Sequence, residues 1–205
     1  MNKRAFATAG LLILLLAVSA PAADSPKSLA GFVLGQPLSE YEDRVIMDSA
    51  LPVRYLETFQ EVEIRPHEGY KSGLIGFGTC HQQGRIVRIK LKYEDSSKAF
   101  YKKLLKQYKN RLGEPTEYNG DAFQVFISWK WSFTNKDGQR ISLTLQHNES
   151  DEDEKMGNAV KLTNFSMVEK ELECHQAQEA NQRDRMRKSP PIKTDLKGWD
   201  WLVPR

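Results

Sequence analysis

The chain has 205 residues, 30 Lys and Arg against 27 Asp and Glu, 10% aromatic residues and two cysteines. That length suits one domain with its own core, which need not depend on many disulfides. Removing Lys3 and Arg4 with the leader described below leaves 28 basic against 27 acidic residues, so bulk charge gives no case for nucleic-acid binding.

Residues 1–22 carry Lys3 and Arg4, an apolar stretch from Ala9 to Val18, and an Ala20-Pro21-Ala22 pattern of small residues. This is the composition of a secretory signal peptide, too short in its apolar part to span a bilayer permanently. Cleavage is expected after Ala22, because a cut after Ala20 would place Pro21 just past the scissile bond. No Cys stands near the cut, which argues against a lipid-anchored lipoprotein. No long apolar run follows, so no stable membrane anchor is expected and the mature protein is read as periplasmic or secreted.

Residues 28–46 predict an extended lead-in, a break at Gly35 and Pro37, and a short helix from Leu38 or Ser39. The stretch VRYLETFQEVEI, 53–64, changes phase, which fits two short strands or one bulged strand. In GLIGFG, 73–78, the glycines fit a strand approached closely by another backbone or a bulky side chain. In GRIVRIKLKY, Val87, Ile89, Leu91 and Tyr93 alternate with Arg88, Lys90 and Lys92, one set for a core and one for water.

A helix follows, with Asp95 or Ser96 as N-cap, an apolar stripe of Phe100, Tyr101, Leu104, Leu105, Tyr108 and Leu112, and Gly113 and Pro115 as stops. Val125, Ile127, Trp129, Trp131 and Phe133 share one strand face, TNKDG turns the chain, and Ile141, Leu143 and Leu145 return inward. Residues 148–158 read as an acidic loop, AVKLTNFSMV as a further strand with a slip near Asn164, and 169–188 as a helix docked at its start and solvated toward its end. The predicted fold is α+β: an antiparallel strand meander with helices packed on one face. It forms a single domain over 23–188, after the 1–22 leader and before a Pro-rich tail, 189–205, with an apolar end. Leu202–Arg205 also spell the recognition residues of a tag-removal protease, so no function rests on them.

One pair of cysteines in an exported chain predicts a Cys80–Cys174 disulfide. The histidines that follow them, His81 and His175, do not suit a shared metal site, because adjacent residues point apart on strands and helices alike. Haem attachment needs C-x-x-C-H, which neither segment has. The acidic loop lacks EF-hand spacing, and no cofactor or metal is expected. Candidate binding residues are Trp129 and Trp131 as an aromatic platform, against a reading as plain core, and Lys102, Lys103 and Lys106 in a stretch, Arg85 to Arg111, that holds ten basic residues. Trp199 and Trp201 in the tail complete the set. There is no G-x-S-x-G or H-E-x-x-H, and His67, His81, His147 and His175 are scattered.

The segments FVLGQPLSEYEDRV, LGEPTEY and WKWSFTNKDGQRISLTL resemble small exported modules of the outer-membrane-assembly small lipoprotein and β-lactamase inhibitor protein type. The lipidated N-terminal Cys of the lipoproteins has no counterpart here, so anchoring is not implied. What the resemblance implies is a helix layer on an antiparallel sheet, and a sheet surface that holds another protein. The expectation is therefore a non-catalytic binding protein of the cell envelope, with a protein partner and not a nucleic acid. The competing class is an envelope hydrolase whose site is assembled from separate strands. The repeated L-G-[QE]-P, at 34–37 and 112–115, is read as helix punctuation, since the first copy precedes a helix and the second follows one.

Overall fold

The computed structural model describes residues 25–53, 56–149 and 157–190, without the side chains of 56 and 57. Residues 1–22, expected to be a leader, residues 150–156 of the acidic loop, and the tail beyond 190 with Trp199 and Trp201 lie outside the described residues.

The chain opens with a small hairpin, β1 (Ser28–Leu29) and β2 (Phe32–Val33), followed by 3-10 turns over Leu38–Arg44 that are broken at Tyr41. A four-strand meander comes next: β3 (Val45–Val53), β4 (Leu56–Ile64), β5 (Tyr70–Gly78) and β6 (Ile86–Tyr93). Helix α1 (Lys98–Leu112) leads into a second meander, β7 (Glu117–Gly120), β8 (Phe126–Thr134), β9 (Arg140–Asn148) and β10 (Gly157–Asn164), and α2 (Phe165–Lys188) closes the described chain. The strands after the first hairpin form one antiparallel sheet in the order β3-β4-β5-β6-β10-β9-β8-β7. Among the described residues the topology is thus doubled. Each half is a helical segment followed by a four-strand meander, and the halves meet where β6 pairs with β10. The L-G-[QE]-P copies do not mark this doubling, since one precedes the 3-10 turns and the other follows α1.

The core lies on one face of the sheet. Val62, Ile64, Ile75, Ile89, Leu91, Leu143, Leu145, Val160 and Leu162 pack there with Phe32, Leu38 and Tyr41 from the N-terminal segment and Tyr101 from α1. The stripe Phe100, Leu104, Leu105, Tyr108 and Leu112 packs against them. Each such side chain taken from water contributes about 1.5–3 kcal/mol. Helix α1 is capped by Ser97, whose hydroxyl accepts from Phe100 N at 3.2 Å, and ends at Gly113 (φ 81°). The cap is one or two residues later than Asp95 or Ser96 because Asp95 instead caps the turn, accepting from Ser97 N.

The helices do not all share that face. Phe59 alternates with Val62 and Ile64 along a regular stretch of β4, so it points the other way, toward Arg88, whose guanidinium lies 4.6 Å from its ring centre. Met167 and Val168 of α2 pack against Phe59 and Val87 in a second, smaller cluster. The 3-10 turns and α1 therefore cover the core face, and α2 begins on the opposite one. Val87 also departs from the simple alternation of β6. The pairing slips between Gly76↔Arg88 and Phe77↔Ile86, and this bulge sends Ile86 to the main core and Val87 to the second cluster.

Two other sequence features resolve physically. The phase change in 53–64 falls at a hairpin, with β3 ending at Val53 and β4 starting at Leu56. The slip near Asn164 is a strand-to-helix boundary, where the Asn164 side chain accepts from Met167 N at 3.1 Å and starts α2 four residues before Glu169. In β5 the close approach is real: a Cβ at Gly73 would lie 2.6 Å from Leu91 Cδ2 and Lys90 O.

Cys80 and Cys174 are disulfide-bonded, joining the β5–β6 loop to α2 across 94 residues of sequence. One turn before Cys174, the fully buried Glu171 accepts backbone N–H bonds from Thr79, Cys80 and Gln82. His175 hydrogen-bonds Thr79 Oγ1 at 3.0 Å, and His81 is exposed.

Candidate functional site: a cationic sheet face

On the face opposite the core, the strands that alternate with the apolar set carry Arg88, Lys90 and Lys92 on β6, Lys161 and Thr163 on β10, Ser142, Thr144 and Gln146 on β9, and Lys130 on β8. The register sets them in rows. Lys161 lies opposite both Lys90 and Thr144, and Thr144 lies opposite Lys130, which faces Glu117 on the edge strand. One row along, Thr163 lies opposite both Arg88 and Ser142. Neighbouring strands are about 4.8 Å apart, so Lys90, Lys161 and Lys130 span about 14 Å of sheet.

Opposite charge on this face is sparse. Glu61 reaches Arg88 at 3.5 Å and Glu117 reaches Lys130 at 3.0 Å, while Glu63 sits two strands from Lys90. Lys90, Lys92 and Lys161 make no ion pair among the described residues. Burial, reinforced by Arg88, Lys90 and Lys130, pulls the Lys161 ammonium below its ordinary value, with Glu61 opposing. Burial likewise lowers Arg88, and Glu61 again opposes. Arg88 Nε and Thr163 Oγ1, directly opposite each other, are buried without a hydrogen-bond partner among the described residues. Thr163 is 1% exposed. Like charges held together on partly exposed side chains form a surface whose potential falls when carboxylates or other anionic oxygens arrive.

The face has an apolar border. Phe165, 40% exposed at the start of α2, flanks a cleft of about 350 Å³ with Lys130, Ser132, Arg140 and Ser142. Ser166 Oγ accepts from Arg140 N, and Glu169 pairs with the Arg140 guanidinium, which fixes this corner of the helix to β9.

No family model, curated protein or solved structure matches the chain.

The residues singled out in the sequence are dispersed. Trp131 is 1% exposed and donates Nε1–H to Gly113 O at 2.8 Å, so it is core and cannot serve as a platform. Trp129, on the same face, is half-buried beside Tyr118, with ring centres 4.5 Å apart and Lys109 Nζ 5.3 Å from its ring. Lys102, Lys103 and Lys106 lie exposed on α1, on the core side of the sheet. His147 is buried against Tyr101 and bonded to Asn158 and Glu149. Asn158 donates in turn to Asp95 O and Ser97 O at the start of α1, so this network anchors a helix. None of the four histidines lines the cleft beside Phe165. The cationic face was half visible in the sequence as Arg88, Lys90 and Lys92. Lys161 and Lys130 join them only through the pairing of β10 with β6 and the strand order beyond.

Proposed function

We propose that this chain is an exported, non-catalytic binding protein of the cell envelope that holds an acidic surface of another protein on the open face of its sheet. The observation that carries the reading is the Lys90–Lys161–Lys130 row with Arg88 and Lys92 beside it, partly exposed and short of carboxylates. A folded chain that keeps like charges adjacent forgoes some stability, which a partner's acidic groups would restore. A protein is favoured over nucleic acid because the mature chain is nearly neutral overall. This face also offers the Thr144 hydroxyl and the Gln146 amide, where base stacking would call for aromatic rings.

The test compares capture from envelope extract by the wild-type protein and by Lys90→Glu/Lys161→Glu. The reading expects one acidic protein to be retained by the wild type, released by salt and lost by the double variant, whose melting temperature is unchanged or higher. Loss in Lys102→Glu/Lys103→Glu, with retention in the first variant, would move the site to α1. Capture abolished by nuclease would replace the protein partner with nucleic acid.

A further inference from the structure

On the core side of the sheet, between the first hairpin and α1, lies a cleft of about 780 Å³. Its inner wall is a stack of tyrosines. Tyr70 and Tyr93 have ring centres 4.9 Å apart, and the Tyr93 and Tyr108 hydroxyls bond each other at 2.9 Å. Leu29 of the hairpin, Leu104 of α1 and Leu143 of β9 supply aliphatic wall. One of these two phenols donates to the other, which leaves a single phenol proton over, so the wall offers a ligand mainly ring faces and methyl groups.

The rim differs from the wall. Lys27 and Arg111 both line the cleft and are exposed. Neither makes an ion pair among the described residues, and none of the described carboxylates lines the cleft. Glu114, the nearest acid along the chain after Arg111, is taken by Lys109 at 2.6 Å. A cationic ligand would be repelled here, and a neutral one would leave both charges unused. The volume falls within the range of small-molecule sites, about 300–1,000 Å³.

We propose that this cleft binds an amphiphilic anion, with an apolar body against Tyr70, Tyr93 and Leu104 and a single negative head between Lys27 and Arg111. The body is either an alkyl chain or a flat aromatic system, and the two leave the same head-group chemistry. The site is separate from the cationic face, on the other side of the sheet, and does not depend on it.

The test titrates the oxidised, full-chain protein with dodecanoate and, separately, with 2-naphthoate, following amide chemical shifts. The expected result is saturable binding of at least one probe, with shifts concentrated at Leu29, Tyr70, Leu104 and Arg111. The probe that saturates identifies the body as aliphatic or aromatic. Arg111→Glu should weaken binding about tenfold or more, the scale of one lost charge-assisted hydrogen bond, and Leu104→Trp should fill the cleft and abolish it. Lys136→Glu, in the exposed β8–β9 turn, should bind as the wild type does. Leu104 also packs on the core, so the exposed Arg111→Glu keeps the test readable if Leu104→Trp does not fold. Absence of saturable binding by either probe, shifts elsewhere in the molecule, or full affinity in Arg111→Glu would overturn the proposal.

Discussion

Replacing Glu171 with alanine is the most informative perturbation of the fold, because one buried carboxylate holds a whole loop. Its Oε2 accepts from Thr79 N at 3.0 Å and Cys80 N at 2.8 Å, and its Oε1 accepts from Gln82 N. A hydrogen bond to a charged group contributes about 1.5–3 kcal/mol, and a buried donor left without an acceptor costs about 1–3 kcal/mol. The three bonds share one acceptor group and are not additive, so the loss is set at about 3–5 kcal/mol and not at three full bonds. Glu171→Gln should fall between, since one amide oxygen can serve Oε2's two donors while the NH₂ group confronts Gln82 N–H. The assay is urea unfolding of the oxidised protein, which reads the midpoint and slope. A loss under about 1 kcal/mol for Glu171→Ala would show that water replaces the carboxylate, and would refute the view that Glu171 fixes the loop.

Exported protein should show no alkylable thiol until it is reduced, and opening the 94-residue Cys80–Cys174 link should cost about 4.7 kcal/mol in the chain-entropy model; two labelled thiols in the exported protein would contradict the bond. Trp131→Ala should cost about 3–5 kcal/mol by loss of volume and of its bond to Gly113 O, whereas Lys130→Ala, losing a pair with Glu117 at 3.0 Å that is 59% exposed on the Glu side, should cost under about 0.5 kcal/mol; equal small losses would place Trp131 in solvent. Burial raises Tyr70, Tyr93 and Tyr101 above the ordinary phenol value, and pushes Tyr108 up to about 12. Their neutral forms favour the folded state, so that contribution is intact below about pH 10, where unfolded tyrosines ionise, and is lost as pH rises. Ultraviolet titration should show part of the phenols ionising only as the protein unfolds, and smooth ionisation of all of them near pH 10 without unfolding would refute their burial.

Much of the fold was legible because local physics wrote it. The stripe of α1 and its Gly113 stop, the inward set of β8 and β9, and the crowded glycines of β5 each follow from periodicity or from space within one segment. The Cys80–Cys174 bond followed from counting and compartment. What escaped depended on partners far along the chain. β7, four exposed residues long, has no pattern of its own and exists by pairing with β8. Val87 leaves the core face because of a bulge set by β5. The placement of α2 on the second face rests on Phe59, more than 100 residues away in sequence. The cationic face had the same difficulty. By alternation Arg88, Lys90 and Lys92 are only the water-facing side of one strand; the β6–β10 pairing sets Lys161 beside Lys90. Trp131 was drawn into the candidate site by its residue type, although its alternation with Lys130 already marked it as core. No helix among the described residues is long and apolar enough to cross a membrane.

Site-specific photocrosslinking would report whether another protein sits on the open sheet face. A benzophenone side chain would replace Thr144, which lies in the row between Lys161 and Lys130, and in a second protein would replace Lys103, exposed on α1 across the sheet. Illuminated in its own envelope, the protein carrying the probe at 144 is predicted to give one adduct with an acidic protein, weakened by salt and absent in the Lys90→Glu/Lys161→Glu background, while the probe at 103 gives none. An adduct from 103 and not from 144, or an adduct at 144 that survives the charge reversal unchanged, would contradict the account.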